Sequence, residues 1–171
     1  MNAQTEIRAF APQDADQVRE LFITVNRLLA PPELKEAFEG YIALALSEEI
    51  DRIADYYSER GGGFWVAMDG NRVVGTFGLE PSSATAMELR RMYVAPDARR
   101  RGIARTMLRQ AEEECRRRER STLELSTSEL QDEALSLYRS AGYQMVLEVA
   151  QAASNKTLGG GIRRYYFTKR F

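Results

Sequence analysis

From residue 14 to residue 57 hydrophobic positions recur every three or four residues, the spacing of helices with one buried face. Val18, Leu21, Phe22, Val25, Leu28 and Leu29 share a stripe that predicts an amphipathic helix over Asp14–Leu29, with Asp14 at its N-cap and Pro31-Pro32 ending it. Leu34, Phe38, Tyr41, Ile42, Ala45, Leu46, Ile50, Ile53 and Tyr57 extend the pattern, as one long helix or as two broken near Ser47. A short strand, Ile7–Phe10, precedes both.

Beyond Gly61–Gly63 the rhythm changes. Phe64–Met68 and Arg72–Leu79 predict strands joined at Asp69-Gly70-Asn71, a strong hairpin signal, and Met87–Val94 a half-buried strand. After Gly102, Ile103, Met107, Ala111 and Cys115 return to helical spacing. Thr122–Thr127 alternates, with Leu123 and Leu125 on one side. Glu129–Ala141 predicts a shorter helix stopped by Gly142; Tyr143–Ala150 and Arg163–Arg170 predict strands around a glycine-rich loop, Ser154–Gly161. Consecutive strands imply antiparallel pairing, whereas strand–helix–strand from Met87 to Thr127 implies a parallel crossover. The expected class is α/β, with a mixed, mostly antiparallel sheet flanked by helices in one domain spanning residues 1–171.

Composition narrows the chemistry. The 171 residues are 44% hydrophobic and 29% charged, as in ordinary soluble proteins, and a net charge of −1 argues against a general polyanion binder. Histidine is absent, which excludes a Ser-His-Asp triad, a Cys-His pair and His-ligated zinc; no metal is expected. The single cysteine, Cys115, lies on an apolar helical stripe and reads as packing. No apolar run is long enough to span a bilayer and the first residues do not resemble a signal peptide, so a cytoplasmic protein is the default expectation.

Charge is uneven. Arginines crowd Arg99–Arg120, and acids collect over Glu33–Glu59. Between Met87 and Cys115 a strand, a turn opened by Pro96 and Asp97, the run Arg99-Arg100-Arg101-Gly102-Ile103-Ala104, and a helix follow in order. Such an arrangement aims cationic side chains and free helix N–H groups at one point, a phosphate-binding geometry. It is neither a Walker A loop nor a GxGxxG fingerprint. Alone, it reads equally well as a solvated arginine-rich turn.

The loop together with the later Ala134-Leu135-x-Leu137-Tyr138-x-x-x-Gly142-Tyr143 segment resembles the GCN5-related N-acetyltransferase (GNAT) superfamily, whose Arg/Gln-x-x-Gly-x-Gly/Ala motif is matched by Arg99, Gly102 and Ala104. The resemblance covers roughly Phe64 to Tyr143. It implies acetyl-CoA as co-substrate, held where the strands at 87–94 and 122–127 splay apart at a bulge. Pantetheine would pair with Met92, Tyr93 and Val94. The pyrophosphate would sit on Arg99, Arg100, Arg101, Gly102, Ile103 and Ala104, with Arg105 and Thr106 at the helix start. Many relatives carry an asparagine seven residues before the motif tyrosine; Gln131 stands there.

The resemblance further implies that Glu88 acts as base, directly or through water, and Tyr138 as proton or hydrogen-bond donor to the departing thiolate. The plain alternatives are a strand glutamate paired with Arg90 and a core aromatic beside Leu137. Acetyl transfer to the amine of a small molecule, by direct attack in a ternary complex, is the leading expectation. A non-catalytic acyl-CoA sensor and a protein N-terminal or lysine acetyltransferase stay open. Nucleic acid is not an expected partner, because acids at Asp97, Glu112, Glu113, Glu114 and Glu119 interrupt the arginines.

Acceptor chemistry is less legible. Arg90-Arg91 places one guanidinium on each strand face, so either could hold an acceptor carboxylate, while acid-rich Glu33–Glu59 would suit a cationic acceptor. Tyr41, Tyr56, Tyr57 and Ser154–Gly161 are candidate pocket linings, each equally readable as scaffold. The oligomeric state is open; Arg163–Arg170 could pair across a homodimer.

Overall fold

Seven strands form one sheet in the order β1-β2-β3-β4-β5-β7-β6, in a computed structural model that describes residues 4–150 and 162–171. The elements are β1 (Glu6–Ala9), α1 (Ala15–Leu29), α2 (Lys35–Glu48), α3 (Ile53–Glu59), β2 (Gly63–Asp69), β3 (Arg72–Pro81), β4 (Ala86–Val94), α4 (Ile103–Arg117), β5 (Thr122–Ser128), α5 (Asp132–Ser140), β6 (Gln144–Ala150) and β7 (Arg163–Arg170). Every neighbouring pair is antiparallel except β4–β5, the pair bridged by α4. The α/β class and mixed sheet are as the pattern predicts. No helix among the described residues is long and apolar enough to cross a membrane.

The helical stripes become the core. Val18, Leu21, Phe22 and Val25 of α1 and Ile103, Met107, Leu108, Ala111 and Cys115 of α4 are buried. Two glycines of β3 set how closely helices approach the sheet. Gly75 and Gly78, three residues apart, face opposite sides. A Cβ at Gly75 would lie 3.0 Å from the Met107 thioether of α4, and one at Gly78 would lie 2.5 Å from the Tyr57 hydroxyl of α3. Helices α3 and α4 therefore close on opposite faces at these points.

Of the two readings of the second helical pattern, the broken one holds: α2 ends at Glu48, next to Ser47, and a 3-10 turn over Ile50–Arg52 follows. Three details depart from the sequence reading. Asp14 does not cap α1 with its side chain; its carboxylate accepts from the Ala11 N–H, closing the 3-10 turn over Pro12–Asp14, and pairs with Arg8. Helix α5 starts at Asp132 rather than Glu129, because the Gln131 side-chain oxygen accepts from Thr127 Oγ1 at 2.8 Å and ties the preceding residues into a turn. Strand β7 inserts between β5 and β6, so both its edges are paired within the chain and Arg163–Arg170 has none left for a second copy. The glycine-rich segment Ser154–Gly161 lies outside the described residues.

The sheet opens in its middle. Strands β4 and β5 pair only from Ala86↔Thr122 to Leu89↔Leu125 and separate beyond. On the other edge of β4 the register with β3 shifts between Thr76↔Tyr93 and Gly78↔Arg90, so Arg91 and Met92 stand opposite the single residue Phe77. This is a β-bulge, with Arg91 at φ 52° and its carbonyl accepting from Thr76 Oγ1 at 2.8 Å.

The tight packing at Gly78 predicts that Gly78→Ala loses about 1–3 kcal/mol of stability by pushing Tyr57 out of its buried position. Gly40→Ala, on helix α2 with open space around a Cβ, gains about 0.5–1 kcal/mol instead. Urea unfolding midpoints of the two variants should move in opposite directions from the parent.

Candidate active site

Two cavities open off the divergence of β4 and β5 and share Leu29, Met92, Tyr93, Leu130, Gln131 and Tyr138. The larger, about 510 Å³, runs between the end of β4, the start of α4 and α5. The smaller, about 100 Å³, lies on the Glu88 side, against α1, α2 and the end of β5.

Backbone conformation builds one end of the larger cavity. After β4, a 3-10 turn over Pro96–Ala98 leads into Arg100 at φ 62° and Gly102 at φ 77°. Gly102 occupies the N-cap of α4 and offers no side chain to cap it. Helix N-termini carry unpaired N–H groups and partial positive charge, here at Ile103, Ala104 and Arg105. Arg99, Arg100 and Arg105 also line the cavity, while Leu29, Leu130, Ala134 and Leu137 form an apolar wall.

Most of the expected cofactor residues meet here: Met92, Tyr93, Val94, Arg99, Arg100, Gly102, Ile103, Ala104, Arg105 and Gln131 all line the larger cavity. Two do not. Arg101 turns outward to Asp69, at 3.2 Å, where the β2–β3 hairpin supplies a counter-charge. Thr106 directs both its N–H and its hydroxyl to the Gly102 carbonyl, each at 3.0 Å, and so belongs to the helix rather than the cleft. Gln131 engages its oxygen with Thr127 and Ser128, leaving its amide nitrogen as the group to offer.

Glu88 and Tyr138 are brought together, both lining the smaller cavity, and Tyr138 lines the larger as well. The Glu88 side chain is 30% exposed and lies 3.5 Å from Arg90 Nη1. Tyr138 is 5% exposed, packed against the rings of Tyr143 and Phe167. Burial pushes its hydroxyl above the ordinary phenol range, so it keeps its proton at neutral pH.

Behind the cavity lies a charge cluster that the sequence reading missed. Glu49, fully buried, accepts from Arg91 Nε and Nη2, each at 3.0 Å, from Tyr57 Oη at 2.8 Å, and from Arg90 Nη2. Arg91 also donates to Tyr41 Oη at 2.5 Å. The two arginines therefore converge on one carboxylate rather than dividing between the strand faces, because the bulge at Arg91 breaks the alternation. Both are committed to Glu49 rather than offered one to each face as simple strand periodicity suggests. Burial acts to raise the Glu49 pKa, but the Arg91 and Arg90 guanidiniums, helped by Tyr57, outweigh it and hold the carboxyl at about 2. The missed signal is spacing: Phe38, Ile42, Ala45, Glu49 and Ile53 form one helical stripe, with an acid at an inward position.

The other acids of Glu33–Glu59 do not build a cation-attracting face on the cleft. Glu39 pairs with Arg27, Asp51 with Arg19, and Glu59 with Arg52, while Glu33, Glu36, Glu48 and Asp55 are exposed and line neither cavity. Of the candidate tyrosines, Tyr41 lines the smaller cavity; Tyr56 and Tyr57 are core. Trp65 stacks on Phe77 and Cys115 is fully buried on α4, and neither lines either cavity.

Comparison with known proteins follows this geometry. The family model for the acetyltransferase (GNAT) domain matches residues 60–145. N-acetyltransferase 8 of Rattus norvegicus is 33% identical over 115 residues, 64% of this chain and 52% of the relative. The chain thus spans about half the length of the curated relatives it matches. Among solved structures, the PaiA N-acetyltransferase of Thermoplasma acidophilum in complex with coenzyme A superposes with a TM-score of 0.76 at 20% identity, covering 98% of this chain and 99% of that one. YncA of Salmonella typhimurium, solved with its cofactor acetyl-CoA, superposes with a TM-score of 0.71 at 15% identity, covering 98% and 94%.

The Glu49 cluster makes a pH prediction. A carboxyl held at about 2 instead of the usual 4.5 contributes stability that is fully present above pH 4.5 and lost as pH falls towards 2. At about 1.4 kcal/mol per pH unit, the loss is about 3 kcal/mol. Glu49→Gln should cost about 3–5 kcal/mol at pH 7, by leaving two buried cations without a counter-charge. Its urea-unfolding free energy should also fall less steeply than the parent's between pH 4.5 and 2.

Proposed function

The chain belongs to the GNAT acetyltransferase family, and on that premise we propose that it transfers acetyl from acetyl-CoA to the amine of a small molecule by direct attack in a ternary complex. The observation that carries this reading is the meeting of the two cavities at Met92, Tyr93, Gln131 and Tyr138, one larger and lined by Arg99, Arg100 and the start of α4, the other small and polar with Glu88 in its wall.

The residues present fit acetyl-CoA. The edge of β4 beyond Leu89 has no β5 partner, so the backbone of Met92–Val94 is open to pair with the pantetheine amides as a further strand would. The α4 N-terminus with Arg99 and Arg100 suits the pyrophosphate. The Gln131 amide nitrogen is a donor for the arm. When bound, the co-substrate supplies an activated acetyl group as a thioester.

Charge sets the roles of the side chains. A typical amine, with a pKa near ~10, carries a proton at neutral pH and cannot attack a carbonyl carbon. Glu88 accepts that proton, directly or through one water. The amine nitrogen then bonds to the acetyl carbon, and a backbone N–H at Met92–Val94 stabilises the oxyanion. As the carbon–sulfur bond breaks, Tyr138, which burial keeps protonated, donates a hydrogen bond or its proton to the thiolate; the attacking nitrogen releases its second proton to water, or returns it to Tyr138 where the phenol has given its own away.

Glu88→Gln and Tyr138→Phe should each lower kcat by about 100-fold or more, with coenzyme A affinity changing by less than about threefold. Thiol release across a panel of small amines, paired with calorimetric titration of coenzyme A, measures both quantities. Parental turnover in both variants would remove these roles.

A further inference from the structure

We propose that Arg164 is the acceptor's anchor, holding a carboxylate a few bonds from the amine, so that the small cavity takes amino acids or related amino-carboxylates rather than simple amines. The inference rests on the acetyl-transfer reading above and names the substrate class for that site.

Three arginines line the small cavity: Arg90, Arg91 and Arg164. The first two share Glu49, and Arg90 also lies within 3.5 Å of Glu80 and Glu88. Arg164 differs. It sits on β7 opposite Ser128 and donates from Nη2 to Ser126 Oγ at 3.0 Å, with no carboxylate partner among the described residues. Its Nε is buried and has no hydrogen-bond partner among them; Arg90 Nε also lacks a hydrogen bond but lies 3.4 Å from the Glu80 carboxylate, whereas Arg164 has no such counter-charge among the described residues. A buried guanidinium N–H left unsatisfied is costly, and a carboxylate that accepts from Nε and an Nη side-on matches its planar fork.

The placement suits a compact amino-carboxylate. Glu88 pairs in register with Glu124 of β5, and Arg164 reaches its guanidinium to Ser126, two residues farther along the same strand. At about 3.3 Å per residue, the base and the cation are offset by about 7 Å along β5. Both long side chains face one cavity of about 100 Å³. An amine at Glu88 and a carboxylate at Arg164 meet opposite charges at the two ends, whereas a simple amine leaves the Arg164 N–H unsatisfied.

Binding separates this proposal from the catalytic reading. Calorimetry on the protein saturated with coenzyme A would compare N-acetylglycine, N-acetylalanine and N-acetyl-β-alanine with their carboxamides, in the parent and in Arg164→Met and Arg164→Lys; acetylated probes remove differences in amine pKa. At least one carboxylate should bind about 10-fold or more tighter than its carboxamide in the parent. The ratio should collapse towards one in Arg164→Met and be intermediate in Arg164→Lys. No discrimination in the parent, or discrimination that survives in Arg164→Met, overturns the proposal. Discrimination without acetylation of any free amino acid would sink catalysis and keep the anchor. Acetylation of amines irrespective of a carboxylate would do the reverse.

Discussion

A carboxylate with no exposed surface, gripped by two consecutive arginines and a tyrosine, is the constraint on which this structure turns. Consecutive residues in a regular strand point to opposite faces, so Arg90 and Arg91 can reach one carboxylate only if the strand is broken between them. The bulge provides that break. It holds Arg91 at φ 52°, a conformation that costs a non-glycine residue roughly 1–2 kcal/mol, offset by the bonds to Glu49 and by Thr76 on the Arg91 carbonyl. Desolvating three charges is itself expensive, and such clusters rarely surpass apolar packing in stability. What the cluster contributes is geometry. It ties the α2–α3 junction to the middle of β4, at the point where β4 leaves β5.

The cleft follows from that point. A strand that bends away from its parallel neighbour leaves its N–H and C=O groups without partners, which in a buried setting must be satisfied by something. Helix α4, bound by its connection to start near the end of β4, brings unpaired N–H groups to the same opening. Apolar residues of α1 and α5 close the sides. Backbone groups and one glycine make most of this part of the site, with Arg99, Arg100 and Gln131 added at its walls.

The sequence made the elements legible wherever one residue type has one consequence. The DGN hairpin, the stripe of α4 and the stop of α5 before Gly142 all read correctly, and the loop from Arg99 to Ala104 does lead into a helix N-terminus beside a cavity. What escaped depends on partners far along the chain. Arg99, Arg100 and Arg101 are chemically identical, and only the backbone alternation at Arg100, with Asp69 waiting on the hairpin, sends Arg101 outward. Nothing local marks Arg91 as left-handed, since the position carries no glycine or asparagine. Glu49 looked like one more helical surface acid until its stripe was completed by two arginines 41 and 42 residues away. The insertion of β7 between β5 and β6 is likewise a long-range choice, unsignalled by strand order.

Charge order within the cleft follows from the same cluster. Arg90 bridges the buried Glu49 to Glu80 and Glu88, so the carboxylate in the wall of the small cavity is held by a cation already committed to the bulge. The electrostatics of the small cavity and the backbone opening of the larger one therefore share one anchor and cannot vary independently. A substitution that relaxes the bulge would move the β4 edge and reposition Arg90 beside Glu88 in a single event. The remaining cation, Arg164, stands on β7, outside that linkage. Variation there changes the charge of the small cavity without touching the lining of the larger one.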